Sequence, residues 1–372
     1  MFMKTKLITI FLTIISCVAC KNNVDENYTK YFQYSVTLDS TNNWDYRRYM
    51  DAIIKVNNQN TINKYYLYDI KLNKLYTYTQ SGKVNNSYII NDKIYGRIEN
   101  FCFKSDDSIY TITDDGIICL SNTDKTNIVY FPDSVTNNKF KNTWICSTNY
   151  FSNFNINNNK VGLITSPQIS VKEYNKIYSN YLYATFNLIN NKLVYNQSYC
   201  KLPDRYTKNY YPFGLPTIYS DTNKIVYIID DQDVMYVEYF NDSSKNKTIQ
   251  IGGKEFIENK PYPVKEIGNG TFELKYLIEN SSNSFFSYDV INHFFVRIYT
   301  TPINFVGDNN LVHNIHDNPF IIDIIDTNYN LVKEVKFLGS KYDLARTLIS
   351  ANGIMLRKLN EKKISYDVYK IK

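Results

Sequence analysis

The sequence predicts an all-β protein, a β-propeller of six blades with four antiparallel strands each, behind an N-terminal signal helix. Three observations predict it. Helical periodicity is nearly absent after the first segment. Short runs of alternating apolar and polar residues recur between Asn, Asp and Gly turns. Two of these turn-and-strand segments resemble each other at a spacing that suits a repeat.

The N-terminal segment comes first. Lys4 and Lys6 form a cationic start, residues 7–15 (LITIFLTII) an apolar run, and Ser16-Cys17-Val18-Ala19-Cys20 a small-residue region. The run has the length of a signal-peptide core and is too short to cross a bilayer as a helix, which needs about 20 residues. The segment Ile14-Ile15-Ser16-Cys17 resembles a bacterial lipobox. That resemblance implies diacylglycerol attachment to Cys17, with Cys20 as the alternative, and cleavage just before the modified residue. The expected organisation is a lipoprotein signal peptide over 1–16, a lipidated cysteine and polar tether over 17–30, and the propeller over 31–372. Neither cysteine is followed by Asp, since Val18 and Lys21 stand there. By resemblance to envelope sorting rules this points to the cell envelope and the outer membrane, with the membrane itself as one partner through the lipid.

Composition narrows the classes further. Apolar content of 44% suits a globular chain, and 12 Gly with 9 Pro in 372 residues argues against a linker or fibrous protein. The net charge of +6 comes from interspersed charges without a Lys/Arg run, so a nucleic-acid partner is not expected. Tyr (36) and Phe (21) are abundant, together with Asn, Lys and Ile, as AT-rich codons would produce. A tyrosine surface would also suit a sugar or protein ligand.

The body of the chain reads as hairpins. Residues 64–70 (KYYLYDI) and 74–79 (KLYTYT) flank one turn. Residues 101–103, 108–113 (SIYTIT) and 117–120 follow, then 184–188 with 192–196. Later pairs are 272–279 with 285–290, then 293–299, 321–325 with 331–337, and 354–358 with 363–371. The segment from Ser105 through SIYTI to Asp114-Asp115-Gly116 resembles the one from Ser220 through KIVYII to Asp230-Asp231. A third turn is expected at Ser282-Asn283-Ser284. The first pair lies about 115 positions apart, or about 57 residues for each of two four-stranded units, which gives six units over 31–372. Circular closure often joins the two ends of the chain, so the strands at 31–38 (YFQYSVTL) and 364–371 (ISYDVYKI) are expected to meet in one blade.

The Tyr-rich hairpin YYLYDIKLNKLYTY, the Ser-Asp-Asp-Ser-Ile-Tyr turn and residues 211–216 (YPFGLP) carry a family likeness. With them the chain resembles the uncharacterised six-bladed, TolB-like β-propeller lipoproteins of the Bacteroidetes type. The resemblance implies a propeller on an N-terminal lipid anchor. It implies no established activity and supplies no catalytic residue.

Candidate sites are sparse. His313 and His316 with Asp317 lack further ligands, and the cysteines Cys102, Cys119, Cys146 and Cys200 lack metal-binding spacing, so no metal and no cofactor are expected. Cys102 and Cys119 are the pair to consider for a disulfide, with buried thiols as the alternative. Asp106, Asp107, Asp114, Asp115, Asp230, Asp231 and Asp233 cluster near turns, where Asp side chains usually bond the backbone. The stretch from Tyr210 to Pro216 is the most unusual, with two prolines and a glycine holding aromatic residues in a loop. Tyr210, Tyr211 and Phe213 are the candidate ligand-binding residues, with a packed inter-blade crossover as the alternative. Two function classes remain. One is a binding or scaffold module for a protein, peptide or glycan. The other is a hydrolase or lyase acting on a glycan or peptide at the channel, for which no catalytic residue can be named.

Overall fold

The computed structural model describes residues 24–38, 52–57, 64–69, 74–79, 81–89, 98–105, 108–113, 117–121, 128–140, 143–145, 155–157, 159–167, 171–212, 216–308, 310–339, 341–359 and 363–371. Cys17, Cys20, Asp106, Asp107, Asp114, Asp115, Cys146 and Phe213 lie outside the described residues.

The strands form five sheets among the described residues. β1 (Phe32–Thr37) is set aside by the chain and joins the last sheet. β2 (Ala52–Asn57), β3 (Lys64–Asp69), β4 (Lys74–Tyr78) and β5 (Val84–Ile89) make a four-stranded antiparallel meander. Next come β6 (Ile98–Ser105), β7 (Ser108–Thr113), β8 (Ile117–Ser121) and β9 (Ile128–Pro132). The short helix α1 (Ser134–Lys139) leads to β10 (Thr143–Ile145), β11 (Asn155–Asn157), β12 (Lys160–Pro167), α2 (Tyr174–Tyr178), β13 (Tyr181–Ile189) and β14 (Lys192–Lys201). After α3 (Asp204–Lys208) follow β15 (Pro216–Ser220), β16 (Lys224–Ile229), β17 (Val234–Tyr239) and β18 (Lys247–Gln250). After α4 (Gly270–Glu279) come β19 (Ser282–Asp289), β20 (Phe294–Thr300), β21 (Phe320–Ile325) and β22 (Leu331–Phe337). β23 (Tyr342–Ser350), β24 (Gly353–Lys358) and β25 (Ser365–Tyr369) close the chain.

Four of the sheets have four strands, and the fifth has nine. The nine-stranded sheet consists of two antiparallel runs, β6–β9 and β10–β14, joined only where β9 meets β14 in parallel at Phe131 and Pro132. Divided at that seam, the strands make six antiparallel runs, which is compatible with six blades. Edge strands of neighbouring runs touch at five seams, β2 with β6, β6 with β11, β15 with β19, β19 with β23, and β23 back to β2, and at the sixth, side chains of β12–β14 pack against β15 and β16. This is the propeller-like arrangement expected from the sequence.

The core follows from it. Each of the five hydrophobic clusters lies between two neighbouring runs instead of inside one sheet. Val226, Ile228, Met235 and Val237 of one sheet, for example, face Phe286, Phe295 and Ile325 of the next. Middle strands are therefore covered on both faces. FIIDII of β21 and IVYII of β16 are buried throughout, while the outermost β18 is largely exposed. A strand sandwiched between sheets loses the one-sided alternation of a surface strand and reads as a continuous apolar run. Tyrosine supplies much of this packing, with Tyr65, Tyr68, Tyr183, Tyr206, Tyr227 and Tyr299 among the largest fully buried side chains.

The ends of the chain meet as expected. β1 pairs antiparallel with β25, from Phe32 opposite Tyr369 to Thr37 opposite Ser365. Residues ahead of it also pack: Asp25 bonds the backbone of Glu334 and Lys336 at 2.9 Å, and Tyr28 stacks on Phe337 at 4.7 Å. Ser105 and Ser220 hold equivalent places, each ending the first strand of a run ahead of the second. Two sequence expectations are corrected. Residues 270–279 form a helix, α4, instead of a strand: the Asn269 side chain caps the Phe272 N–H at 3.3 Å, and Tyr276 and Ile278 face inward. Ser282-Asn283-Ser284 opens β19 instead of forming a turn.

Gly353 marks the tightest point of the closing sheet. Its φ is +133°, and a Cβ there would lie 2.2 Å from the Tyr369 carbonyl oxygen. Gly353→Ala is expected to cost about 2–4 kcal/mol, because the strain and the clash with backbone cannot relax separately. Urea unfolding checks this, and a loss below about 1 kcal/mol would contradict it.

Candidate functional site

Strand alternation places the connections on two faces. On one face the turns are short, at 190–191, 221–223, 290–293 and 351–352. On the other lie the long connections 202–215, 251–281 and 301–319, together with α2, α3 and α4. Two polar centres sit beneath this helix-bearing face.

The first is built on α3 and the turn after β16. Tyr206 points inward from α3, is fully buried, and donates its hydroxyl to Asp231 Oδ1. Arg205, the neighbouring residue, keeps its guanidinium half-buried and binds Asp231 Oδ2 at 2.6 Å, with Glu258 3.6 Å away on its solvent side. It also lies over the rings of Tyr206 and Tyr211 at 5.1 and 5.0 Å. The Gln232 amide bridges the hydroxyls of Tyr206 and Tyr236, each 2.6 Å away. Burial pushes the Asp231 carboxyl up, against the opposing pull of Arg205 and Tyr206. Burial, and then the charge of Asp231, push Asp230 up further. Replacing Tyr206 by Phe removes a buried donor to a carboxylate and is expected to lower stability by about 1–3 kcal/mol in denaturant titration; no change would show that Arg205 alone satisfies Asp231.

The candidate ligand residues belong to the same neighbourhood. Tyr210 and Tyr211 are 7% and 3% exposed. Tyr210 pairs with Tyr262 of the long connection, and the Tyr211 carbonyl accepts from the Tyr178 hydroxyl at 2.7 Å. Their rings join the aromatic cluster under α2 and α4. Tyr210 and Tyr211 thus lie in the crossover from β14 to β15.

The second centre was not visible in the sequence. Arg297, Asp323 and Glu334 stand directly opposite one another across β20, β21 and β22, so their side chains share one face. All three are buried at 1% exposure or less, in the seam toward β16–β18. Arg297 Nη1 donates to Asp323 Oδ2 at 3.2 Å and to Asp233 Oδ1 at 2.6 Å, and Nε donates to Asn283 Oδ1 at 2.6 Å. Its guanidinium lies over the rings of Phe256 and Tyr299. Asp233 therefore does more than shape its own turn. Its Oδ2 accepts from the N–H groups of Gly252 and Gly253 and from Gln250, at 3.0–3.1 Å. Glycine is required here: Gly252 has φ +81°, and a Cβ on Gly253 would crowd Tyr299, Arg297 and Asp233 at 3.2–3.3 Å. Glu334 accepts from the Lys254 N–H at 2.9 Å, with the Lys254 ammonium 3.8 Å away. Arg297 Nη2, Asp323 Oδ1 and Glu334 Oε2 have no hydrogen-bond partner among the described residues. Burial pushes the Asp323 carboxyl up to about 8, with Glu334 and Asp233 adding to the shift and Arg297 opposing it.

Other expected groups fall elsewhere. Cys102 and Cys119 lie on β6 and β8, and both stand opposite Tyr110 of the intervening β7. Two strand spacings put about 9–10 Å between their backbones, beyond the roughly 7 Å that a disulfide spans, and both are thiols. His313 Nδ1 lies 2.8 Å from the Asn304 carbonyl, and His316 and Asp317 form a short turn capped by Asn314. Among the described residues no group of three His, Cys, Asp or Glu side chains is placed to hold a metal ion. Among them, too, no helix is long and apolar enough to cross a membrane.

A ring of antiparallel sheets with cores between them, and with long connections on one face, defines a β-propeller protein. Comparison with solved structures agrees. The chain is similar to the crystal structure of a member of the DUF4221 family from Bacteroides vulgatus, with a TM-score of 0.66 at 12% identity over 92% of this chain and 97% of that one. It is also similar to a protein from Bacteroides fragilis that is expected, by its name, to be exported, with a TM-score of 0.54 at 10% identity over 94% and 98%. At such identities the likeness speaks for the fold alone. No family model matches the chain, and no curated protein matches it.

Proposed function

We propose that this chain is an exported, lipid-anchored, six-bladed TolB-like propeller of the outer membrane, and that its helix-bearing face binds a protein, peptide or glycan. The observation that carries the binding role is the asymmetry of the two faces. Long connections are where a rigid scaffold usually places recognition, and here they gather on one side. They also expose Ile257, Val264, Val306, Leu311, Val312 and Ile315, a concentration of apolar surface that water disfavours. Burial of Arg297, Asp323 and Glu334 inside a seam supports binding over catalysis, since a substrate would not reach them. The cationic start and apolar run of residues 4–15 support export, and the lipobox-like run before Cys17 supports the anchor.

Site-specific photo-crosslinking in intact cells tests the binding face. Adducts are expected from probes at Glu258 and Leu311, and not from Asn191 or Asn292 on the short-turn face. Adducts from the second pair alone, or from neither pair, would overturn the proposal. Mass spectrometry of the mature chain tests the anchor separately: Cys17, or alternatively Cys20, should be the modified first residue, and an unmodified amino terminus would refute it.

A further inference from the structure

On the short-turn face, the seam between the β10–β14 run and the β15–β18 sheet opens into a cleft of about 230 Å³. A change in side-chain size creates it. Ile164, Tyr183 and Tyr199 stand opposite one another across β12, β13 and β14, and the two tyrosine rings are buried in the seam. The neighbouring row on the same face is Gly162, Thr185 and Gln197. Glycine brings no side chain and threonine a short one, so the seam is notched there. Tyr183 leans into the notch, since a Cβ on residue 162 would lie 1.6 Å from its hydroxyl. That hydroxyl meets Ser220 Oγ of the next sheet at 2.9 Å and forms the polar floor.

A β-bulge equips one wall. Thr185 pairs with Gln197 and Phe186 with Tyr195, so Asn196 is an extra residue in β14. Bulges re-aim side chains, and this one brings Asn196 and Gln197 onto the cleft together. Asn196 Nδ2 donates one hydrogen to Thr185 Oγ1 at 3.1 Å, which leaves its carbonyl and second amide hydrogen available. The other wall is apolar and then polar. Phe240, half-buried, meets the Tyr199 ring edge to face at 5.0 Å, with Thr222 and Asn241 beside it.

The charges exclude most ligands. Among the described residues, Lys160 is the one cation lining the cleft, and Asp221 the one carboxylate. Asp221 Oδ1 already holds the N–H groups of Asn223 and Lys224 in its own turn, at 2.7 and 3.0 Å. An anion or a cation would find weak compensation for its lost hydration, and a wholly apolar ligand would strand the amides and hydroxyls. Amide and hydroxyl groups on one side with an aromatic wall on the other complement a molecule that has a ring of hydroxyls and an apolar C–H face. We propose that this cleft binds one neutral sugar residue. The inference goes beyond the proposed function, because it uses other residues on the opposite face and stands or falls apart from it.

The test is binding of methyl glycosides of glucose, galactose, mannose and N-acetylglucosamine to the full-length chain, by saturation-transfer NMR and calorimetry. At least one glycoside is expected to bind at millimolar affinity or tighter, and Asn196→Ala or Phe240→Ala should weaken it about tenfold or more. Asn196 is exposed, so its variant should keep the wild-type melting temperature and report on binding alone. The Arg205→Gln variant, on the other face, should bind as wild type does. The proposal is overturned if none of the four glycosides binds at about 20 mM. It is overturned equally if binding survives both cleft substitutions, or is lost on Arg205→Gln while Asn196→Ala leaves it intact.

Discussion

Arg297→Met is expected to destabilise the protein by about 3–5 kcal/mol, the cost of leaving buried acidic groups without their shared cation when one member of a network is removed. The size follows from where the guanidinium sits. Arg297 is completely buried, and it bonds both Asp233 and Asp323. Methionine can occupy the same place beside the rings of Phe256 and Tyr299, so packing loss contributes little. What remains is polar: Asp233 of one sheet loses its counter-charge, and Asp323 of the next loses the donor the two share. The pairing also joins two units of the ring, since Asp233 belongs to the turn between β16 and β17 and Asp323 to β21. Removing Asp323 as well should cost less than the single change, because Asp323 is then no longer buried without its donor, while Asp233 keeps Gln250, Gly252 and Gly253 as donors. The pair Arg297→Met with Asp323→Leu is therefore expected to recover part of the loss. Urea unfolding of the two variants measures this. A single-variant loss below about 1 kcal/mol would mean that the seam satisfies Asp233 and Asp323 without Arg297.

The fold was legible where local chemistry repeats. Ser105 and Ser220 end the first strands of their runs, and the terminal strands pair side by side in one sheet because each has an edge to offer. Legibility failed where tertiary context decides. In 270–279 the cap at Asn269 and burial of one side of the segment override a sequence that also reads as a strand. Cys102 and Cys119 looked adjacent because their strands follow closely, yet an antiparallel meander places the strand between them in the gap.

The charged row of Arg297, Asp323 and Glu334 is distributed over three strands, and only the ladder register brings it together. A signal was present all the same. FFVRIYT, FIIDII and LVKEVKF each carry charge in the middle of an apolar run. Such a residue must find a partner inside, because a strand covered on both faces cannot turn it out to water. The tyrosines were the reverse case. Composition offered them as a surface, whereas the seams consume many of them as large apolar bodies whose hydroxyls reach neighbouring sheets, as Tyr183 reaches Ser220.

The second large effect is a pH dependence that one substitution should flatten. With its carboxyl at about 8 in the folded protein, Asp323 carries a proton at neutral pH, while an unfolded Asp releases it near 3.9. Between these values the native state binds the extra proton, so the contribution of this group to stability falls as pH rises from about 4 to about 8 and is level above that. Below pH 4 both states are protonated, and the group makes its full contribution. Asparagine imitates the protonated carboxyl in shape and retains an oxygen for Arg297 Nη1. Asp323→Asn is thus expected to change stability little at pH 4–5 and to raise it by about 2–4 kcal/mol at pH 9, where the wild type holds an additional buried negative charge beside Asp233 and Glu334. Thermal unfolding of both proteins across this range is the measurement. If the difference between them stays constant with pH, or if the variant is the weaker one at pH 9, the proton does not reside on Asp323. The negative charge would then be balanced within the row, and Lys254, 3.8 Å from Glu334, is the group whose removal should next be examined.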